Sequence, residues 1–149
     1  MELLDTVESV LRQKKAVIWS VAPEDTVYDA LLLMAEKEIG ALLVMSDQTL
    51  IGMISERDYA RKIALLGRSS KETTVAEVMS SPVTTVTLKD SVSDCMQLMT
   101  DHRRRHLPVM DRGRVAGMLS IGDLVNWIVR SQEQTIQQLH GYIAGAYPA

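Results

Sequence analysis

The chain has 149 residues, 46% of them hydrophobic and 23% charged, with a net charge of −3 and a single cysteine. This composition is typical of a soluble globular protein, its net negative charge does not suggest a nucleic-acid partner, and the chain contains no apolar run long enough to span a bilayer. Because one cysteine cannot form an internal disulfide and the N-terminus lacks a secretory signal, we expect a cytoplasmic protein without a membrane partner.

The first predicted elements in chain order are a helix, a short strand and a second helix. Residues 1–15 predict an amphipathic helix, and VIWSV at 17–21 predicts a leading strand. Thr26 and Asp29 then form an S/T-x-x-D pair, which is a helix start signal. The apolar face of the first helix comprises Leu3, Leu4, Val7, Val10 and Leu11, and that of the second comprises Val27, Ala30, Leu31 and Met34.

A hairpin and a further helix follow. ALLVM at 41–45 and TLIGMI at 49–54 have the length and composition of strands, and Ser46-Asp47-Gln48 is a polar turn between them. ERDYARKIALL at 56–66 then predicts a helix. The unit from the leading strand onward is therefore β-α-β-β-α.

The same unit occurs again 65 residues later, without a gap. In this register Asp25 aligns with Asp90, and GMISERD at 52–58 aligns with GMLSIGD at 117–123. The similarity indicates a duplication and an α+β fold with two β-α-β-β-α repeats. We place an N-terminal helix at 1–15, the first repeat at 16–66, a linker at 67–81, the second repeat at 82–130, and a C-terminal helix and tail at 131–149.

The Ser-x-x-Asp pair at 55–58 and 120–123 has two interpretations. In a helix capping box, the serine accepts a hydrogen bond from a first-turn amide and the aspartate reaches back. In a ligand site, the same strand-to-helix junction attracts phosphate, and the carboxylate accepts hydrogen bonds from ribose hydroxyls. Gly52 and Gly117 favour a ligand site, because a glycine inside a strand indicates close approach of another group. The two interpretations are compatible.

A basic run precedes the second hairpin. Arg103-Arg104-Arg105-His106 stands where the first repeat has Glu38-Ile39-Gly40-Ala41. Such a run is either a solvated surface or a phosphate contact, since arginine binds phosphate through paired donors. The two repeats therefore differ in charge at this position.

With these motifs the chain resembles a tandem CBS-domain protein (a Bateman module) of the small bacterial type that holds little more than one pair of repeats. The resemblance covers about residues 16–128 and rests on the repeated G-h-h-S-x-x-D, VxxVM at 75–79 and HLPV at 106–109. It implies repeats packed through their sheets with pseudo-twofold symmetry, and two clefts for AMP, ADP, ATP, NAD or S-adenosylmethionine. The motif aspartate would hold the ribose of this ligand.

The resemblance also implies that each cleft combines residues of both repeats. One cleft would join Met53, Ser55, Arg57 and Asp58 to Thr84, Arg104, Arg105 and His106. The other would join Met118, Ser120, Gly122 and Asp123 to Trp19, Ile39, Gly40 and Ala41, with Trp19 either against an adenine face or in the core. Because the first set is more basic, we expect the Asp58 cleft to bind a phosphorylated ligand better, and we expect no tight polyphosphate binding in the Asp123 cleft.

Catalysis is not expected. Cys95 aligns with Ala30 on an inward helix face, and the histidines lack metal-binding spacing. Two functions remain: a regulatory module that senses an adenine nucleotide and signals to an unidentified target protein, or a non-catalytic dimeric scaffold with vestigial clefts. The amphipathic flanking helices, together with the pairing usual in the family, predict a homodimer.

Overall fold

The computed structural model describes residues 5–14 and 17–143, with backbone alone at 142 and 143, and the chain divides into two compact units. Unit 1 comprises Met1–Ala16, Val86–Val109 and Met118–Ala149. Unit 2 comprises Val17–Thr85 and Met110–Gly117. Leu3 and Leu4 of the predicted first helix lie outside the described residues.

Unit 2 contains a mixed three-stranded sheet. Strand β1 (Ser20–Val21) runs parallel to β2 (Ala41–Ser46), and β2 pairs antiparallel with β3 (Thr49–Ser55), with Ala41 opposite Ser55. Its helices are α2 (Val27–Lys37) between β1 and β2, α3 (Glu56–Tyr59) continuing into a π-helical turn at Ala60–Ala64, and α4 (Val75–Val78) in the linker. The core contains Val27, Ala30, Met34, Leu42, Val44, Ile54, Ile63, Val75 and Val78.

Unit 1 repeats this plan. Its helices are α1 (Val7–Gln13), α5 (Val92–His102) and α6 (Ile121–Ile143). The second sheet has the order β4 (Val86–Thr87), β5 (His106–Asp111), β6 (Arg114–Ser120), and it belongs to unit 1 except for Met110–Gly117 of its hairpin, which belong to unit 2. The buried residues of this unit include Val7, Val10, Leu11, Val86, Val92, Cys95, Met99, Leu107, Val109, Leu119 and Leu124.

The α+β class and the two β-α-β-β-α repeats are confirmed, down to the residues that start the helices. Thr26 Oγ1 accepts a hydrogen bond from Asp29 N at 3.1 Å, and Ser91 Oγ accepts one from Asp94 N at 3.0 Å. One difference concerns the C-terminal half. The helices predicted on either side of residue 131 form the single helix α6, because no proline or glycine interrupts residues 123–140.

The similarity of the two units extends to the segments at 5–14 and 73–80, which we name the leading segments. Val7 N donates to Asp90 O at 2.8 Å in unit 1, and Val75 N donates to Asp25 O at 2.8 Å in unit 2. TVESVL at 6–11 is therefore the structural counterpart of TVAEVM at 74–79. The N-terminal leading segment packs with the second repeat, and the linker leading segment packs with the first.

Candidate functional site

The site in unit 2 is built on the junction between β3 and α3. Ser55 Oγ accepts a hydrogen bond from Asp58 N at 3.3 Å, and Asp58 Oδ2 accepts one from Ser55 N at 3.0 Å. Ser55 Oγ also donates to the same carboxylate oxygen at 3.1 Å. The helix capping box predicted for this pair is therefore confirmed.

The other oxygen of the Asp58 carboxylate contacts the linker and the helix. Ser80 Oγ lies 3.3 Å from Asp58 Oδ1, and Lys62 Nζ lies 3.2 Å from it. Lys62 Nζ also donates to Val78 O at 2.8 Å. Asp58 is only 7% exposed, and burial of a carboxylate is costly unless it has a counter-ion or several hydrogen bonds. Both are present.

Gly52 allows the linker leading segment to approach β3. A Cβ atom at this position would lie 2.6 Å from Met79 Sδ and 3.1 Å from Ser80 O. The sequence predicts that a ligand approaches the chain closely at this glycine. In the structure, the linker leading segment makes this approach. This approach brings Ser80 beside Asp58.

The site in unit 1 has the same capping box and a different cation. Asp123 Oδ2 accepts a hydrogen bond from Ser120 N at 2.8 Å, and Asp123 N donates to Ser120 Oγ at 3.1 Å. Lys14 Nζ, from the N-terminal leading segment, lies 2.7 Å from Asp123 Oδ2 and 2.7 Å from Met118 O. Burial alone raises the pKa of Asp123, but Lys14 and Ser120 outweigh it, so the pKa lies below its ordinary value.

His106 belongs to the same electrostatic environment. Burial and the charges of Lys14 and Arg105 lower the pKa of His106, while Asp123 acts in the opposite direction. The imidazole is therefore neutral at pH 7, because its ordinary pKa of 6.5 is already below that pH. As a neutral group, His106 adds no positive charge to this site.

At the N-termini of α3 and α6, some of the first-turn amides already have hydrogen-bond partners within the same unit. Glu56 N donates to Gly40 O at 3.1 Å, and Ile121 N donates to Arg105 O at 2.8 Å. Two residues further along each helix, the amide of the motif aspartate donates to the side chain of the motif serine. Two of the first three amides therefore have partners, so a phosphate would depend more on side-chain cations than the sequence suggests.

The remaining predicted residues lie at several places in the two units. Arg57 and Gly122 are exposed in the first turns of their helices, Arg104 and Arg105 are exposed before β5, and Thr84 is half-buried. Trp19 packs on the core of unit 2 with Lys37 Nζ 4.4 Å from its ring centroid, which favours the core interpretation. Ile39 packs on the same core, and Ala41 is buried in β2. The combination of residues from both repeats in one cleft stays a prediction.

Three polar residues that contact the motif aspartates are missing from the predicted set: Lys14, Lys62 and Ser80. Lys62 could have been found, since it lies four residues after Asp58 on one helix. Lys14 and Ser80 come from the leading segments. In the sequence, these two segments are separated by three residues more than the 65-residue offset between the repeats. Lys14 also changes the charge comparison, because the Asp123 site, predicted to be nearly neutral, contains a lysine.

Neither a metal site nor a reactive thiol stands out in the part of the chain that the structure describes. Among residues 5–14 and 17–143, no group of three or more His, Cys, Asp or Glu side chains could hold a metal ion. Burial, with smaller contributions from Asp90 and Asp94, raises the pKa of Cys95 to about 11. Within the same residues, no helix has both the length and the apolar character required to cross a membrane.

Comparison with known proteins gives concordant results. The CBS domain family model matches residues 7–65 and 75–130. The CBS domain-containing protein CBSX3, mitochondrial, of Arabidopsis thaliana is 41% identical over 152 residues, which cover 95% of this chain and 73% of the relative. The structure of a protein with CBS domains from Burkholderia ambifaria MC40-6 has a TM-score of 0.83 at 49% identity, covering 85% of this chain and 96% of that one. CBS domain-containing protein YhcV of Bacillus subtilis is 35% identical over 70% of this chain.

These relatives have names that describe a domain and no reaction. The absence of catalysis and the cytoplasmic location predicted from the sequence stay predictions; one of the relatives is named as mitochondrial.

Proposed function

The chain belongs to the CBS-domain family, and on that premise we propose that it is a regulatory module that binds an adenosine-containing ligand. AMP and ATP are the first candidates, followed by NAD and S-adenosylmethionine. The sites are the carboxylates of Asp58 and Asp123. The observation that carries the proposal is that both aspartates are held in the same geometry by a serine at a strand-to-helix junction.

The chemistry of the two carboxylates supports ribose binding. A carboxylate held by a capping box has a fixed orientation and can accept hydrogen bonds from both vicinal hydroxyls of a ribose. A lysine lies close to each carboxylate, Lys62 at Asp58 and Lys14 at Asp123. Cations beside a ribose-binding carboxylate favour a ligand that also carries phosphate.

The leading segments provide a route from the site to the rest of the chain. Ser80 contacts Asp58 from the linker, and Lys14 contacts Asp123 from the N-terminal segment. A ribose that binds one of these carboxylates must replace the hydrogen bond that the carboxylate accepts from the leading segment of its unit. Ligand binding then shifts their conformational equilibrium by its differential affinity for the two states. We propose that this change alters the contact with a target protein.

A binding screen tests the proposal. Thermal unfolding is followed in the presence of AMP, ATP, NAD and S-adenosylmethionine, with IMP, which keeps the ribose and phosphate of AMP, as a control for the adenine ring. A ligand at 100 times its dissociation constant should stabilise the protein by about 2.7 kcal/mol. The double variant Asp58→Asn/Asp123→Asn, which keeps side-chain volume, should lose the response.

The alternative function is a non-catalytic scaffold whose sites no longer bind ligand. The specific observation in its favour is that both carboxylates already have cationic partners within their own units. A flat response to all four ligands in the screen would refute the sensor and favour this alternative.

A second copy of the chain is the partner we propose for α6. Its exposed apolar residues Val125, Val129, Ile136 and Leu139, with Gln132 between them, alternate at four- and three-residue spacing. This spacing is that of a coiled-coil seam, in which a polar residue at one position specifies register. A seam of this kind pairs with an equivalent seam, so the proposed assembly is a homodimer through α6.

A further inference from the structure

Lys14 occupies two of the acceptors that the proposed ligand would use in unit 1. Its ammonium donates to the Asp123 carboxylate and to the Met118 carbonyl, both at 2.7 Å. In unit 2, the corresponding carbonyl of Met53 accepts the backbone amide of Ser80, and Ser80 Oγ contacts Asp58. The two leading segments thus take equivalent positions, but the one in unit 1 brings a positive charge.

The backbone that holds Lys14 is well anchored. Val7, Val10 and Leu11 of α1 are buried, and Asp5 Oδ2 accepts a hydrogen bond from Trp127 Nε1 at 2.8 Å. Lys14 itself caps α1, its amide donating to Leu11 O. The ammonium can therefore leave Asp123 through motion of its four-carbon side chain while α1 remains folded.

We propose that Lys14 sets the ligand preference of the Asp123 site, so that the site discriminates against uncharged nucleosides and accepts nucleotides. This inference rests on the proposed function, since it assumes that a ribose binds Asp123. It adds the residue that decides which adenosine compounds can do so.

The discrimination follows from the charge that ligand binding uncovers. A nucleoside ribose must displace the ammonium from Asp123 and Met118, which leaves a partly buried cation without an anion. A side chain with 33% exposure recovers only part of its hydration, so the loss is substantial. A nucleotide brings a phosphate that replaces the lost partner of the ammonium.

The experiment compares adenosine with AMP in the wild type, Lys14→Met and Arg12→Met. Methionine keeps an unbranched side chain without the charge. Arg12 is the matched control, because it is a cation of the same segment that pairs with Glu8 on the same helix. Binding at Asp123 is followed through the imidazole signals of His106 in NMR titrations, assigned with His106→Gln, and total binding is followed by calorimetry.

We expect Lys14→Met to reduce the ratio of the adenosine and AMP dissociation constants about tenfold, the size of one strong charge-assisted contact. Lys14→Arg and Arg12→Met should keep the wild-type ratio. A ratio in Lys14→Met within twofold of the wild type would overturn the inference and leave the proposed function standing. So would calorimetric binding without any change in the His106 signals. Absence of binding to the wild type in both measurements would overturn the proposed function and the inference with it.

Discussion

Met53 and Ser80 exchange both of their backbone hydrogen bonds, from Ser80 N to Met53 O at 2.8 Å and from Met53 N to Ser80 O at 3.1 Å. This two-residue antiparallel bridge fastens the linker leading segment onto β3. It determines the position of Ser80 Oγ beside Asp58, and it leaves no room for a side chain at Gly52.

Gly52→Ala should destabilise the protein by about 1–3 kcal/mol, the usual effect of a small overpacking change in a buried site. The added Cβ would lie 2.6 Å from Met79 Sδ, and the backbone oxygen of Ser80 at 3.1 Å prevents a simple shift. The measurement is the free energy of unfolding in urea. Adding Met79→Ala to Gly52→Ala should recover part of the loss, since it removes the closest contact.

Gly122→Ala is the matched control for this prediction. Its Cβ would lie 3.6 Å from Ser120 Oγ, an ordinary contact, and the residue is in the first turn of α6. Alanine should therefore not lower the free energy of unfolding, and its helix propensity should raise this free energy by up to about 1 kcal/mol. Equal destabilisation by the two substitutions would contradict the role assigned to the linker contact.

Asp58→Ala should weaken AMP binding more than Asp123→Ala does. Arg57 stands beside Asp58, where the second site has Gly122, and an additional arginine favours phosphate. We expect a loss of at least about tenfold for Asp58→Ala, which calorimetry on both variants measures. The ranking is wrong if Asp123→Ala abolishes binding while Asp58→Ala leaves it unchanged.

Lys14→Met should raise the pKa of His106. Lys14 lowers this pKa and Asp123 raises it, so removing the lysine charge leaves the attraction of Asp123 for the imidazolium uncompensated. NMR titration of the imidazole between pH 4 and 8 measures the change. Arg12→Met should leave the titration unaltered, and a fall of the pKa in Lys14→Met would contradict the assigned contacts.

The same depressed pKa predicts how stability depends on pH. Because the folded-state pKa of His106 lies below its ordinary value of 6.5, the unfolded chain binds the proton more readily. The free energy of unfolding should therefore fall as the pH drops below 6.5 and continue to fall until the folded-state pKa is passed. His106→Gln should reduce this dependence, and urea unfolding at pH 7 and pH 5 measures both proteins.

Cys95 should resist alkylation in the folded protein. Its thiol is buried and its pKa is raised to about 11, so the reactive thiolate is scarce at neutral pH. Mass spectrometry after iodoacetamide treatment at pH 7.5 should detect no adduct on the native chain and complete modification in 6 M guanidinium chloride. Rapid modification of the native chain would show that α5 opens readily.

Ile136→Asp/Leu139→Asp should convert the proposed dimer into a monomer. Both residues are more than half exposed on α6, so the substitutions should not disturb the core of unit 1. Each would place a charge in the apolar seam. Light scattering after gel filtration measures the mass, and Gln134→Asp/Gln138→Asp serves as a control off the seam. If the wild type and the seam variant both have the mass of a dimer, the dimer contact lies elsewhere. If both have the mass of a monomer, the proposed dimer is excluded.

The sequence was sufficient for features that depend on neighbouring residues. Thr26, Ser91 and Ser55 predict the starts of their helices. In the structure, each of these side chains accepts a hydrogen bond from the amide three residues later. The 65-residue register then carries each assignment from one repeat to the other. Local capping chemistry and duplication thus make most of the fold predictable.

The contacts of the motif aspartates could be predicted only in part. Lys14 and Asp123 are 109 residues apart, so no local pattern connects them. The resemblance between TVESVL and TVAEVM was available in the sequence, but an ungapped register does not align these stretches. Even with that alignment, the position equivalent to Lys14 is Pro82, the first residue of the second repeat, so the lysine has no counterpart from which its role could be inferred.

The exchange of leading segments has a consequence for cutting the chain. Residues 5–14 pack in the unit of the second repeat, and residues 73–80 pack in the unit of the first. A break in the stretch 67–72 would therefore give two fragments that each carry the segment required by the other. Such fragments should complement each other when mixed and fold poorly alone, which makes that stretch a natural position for a split reporter.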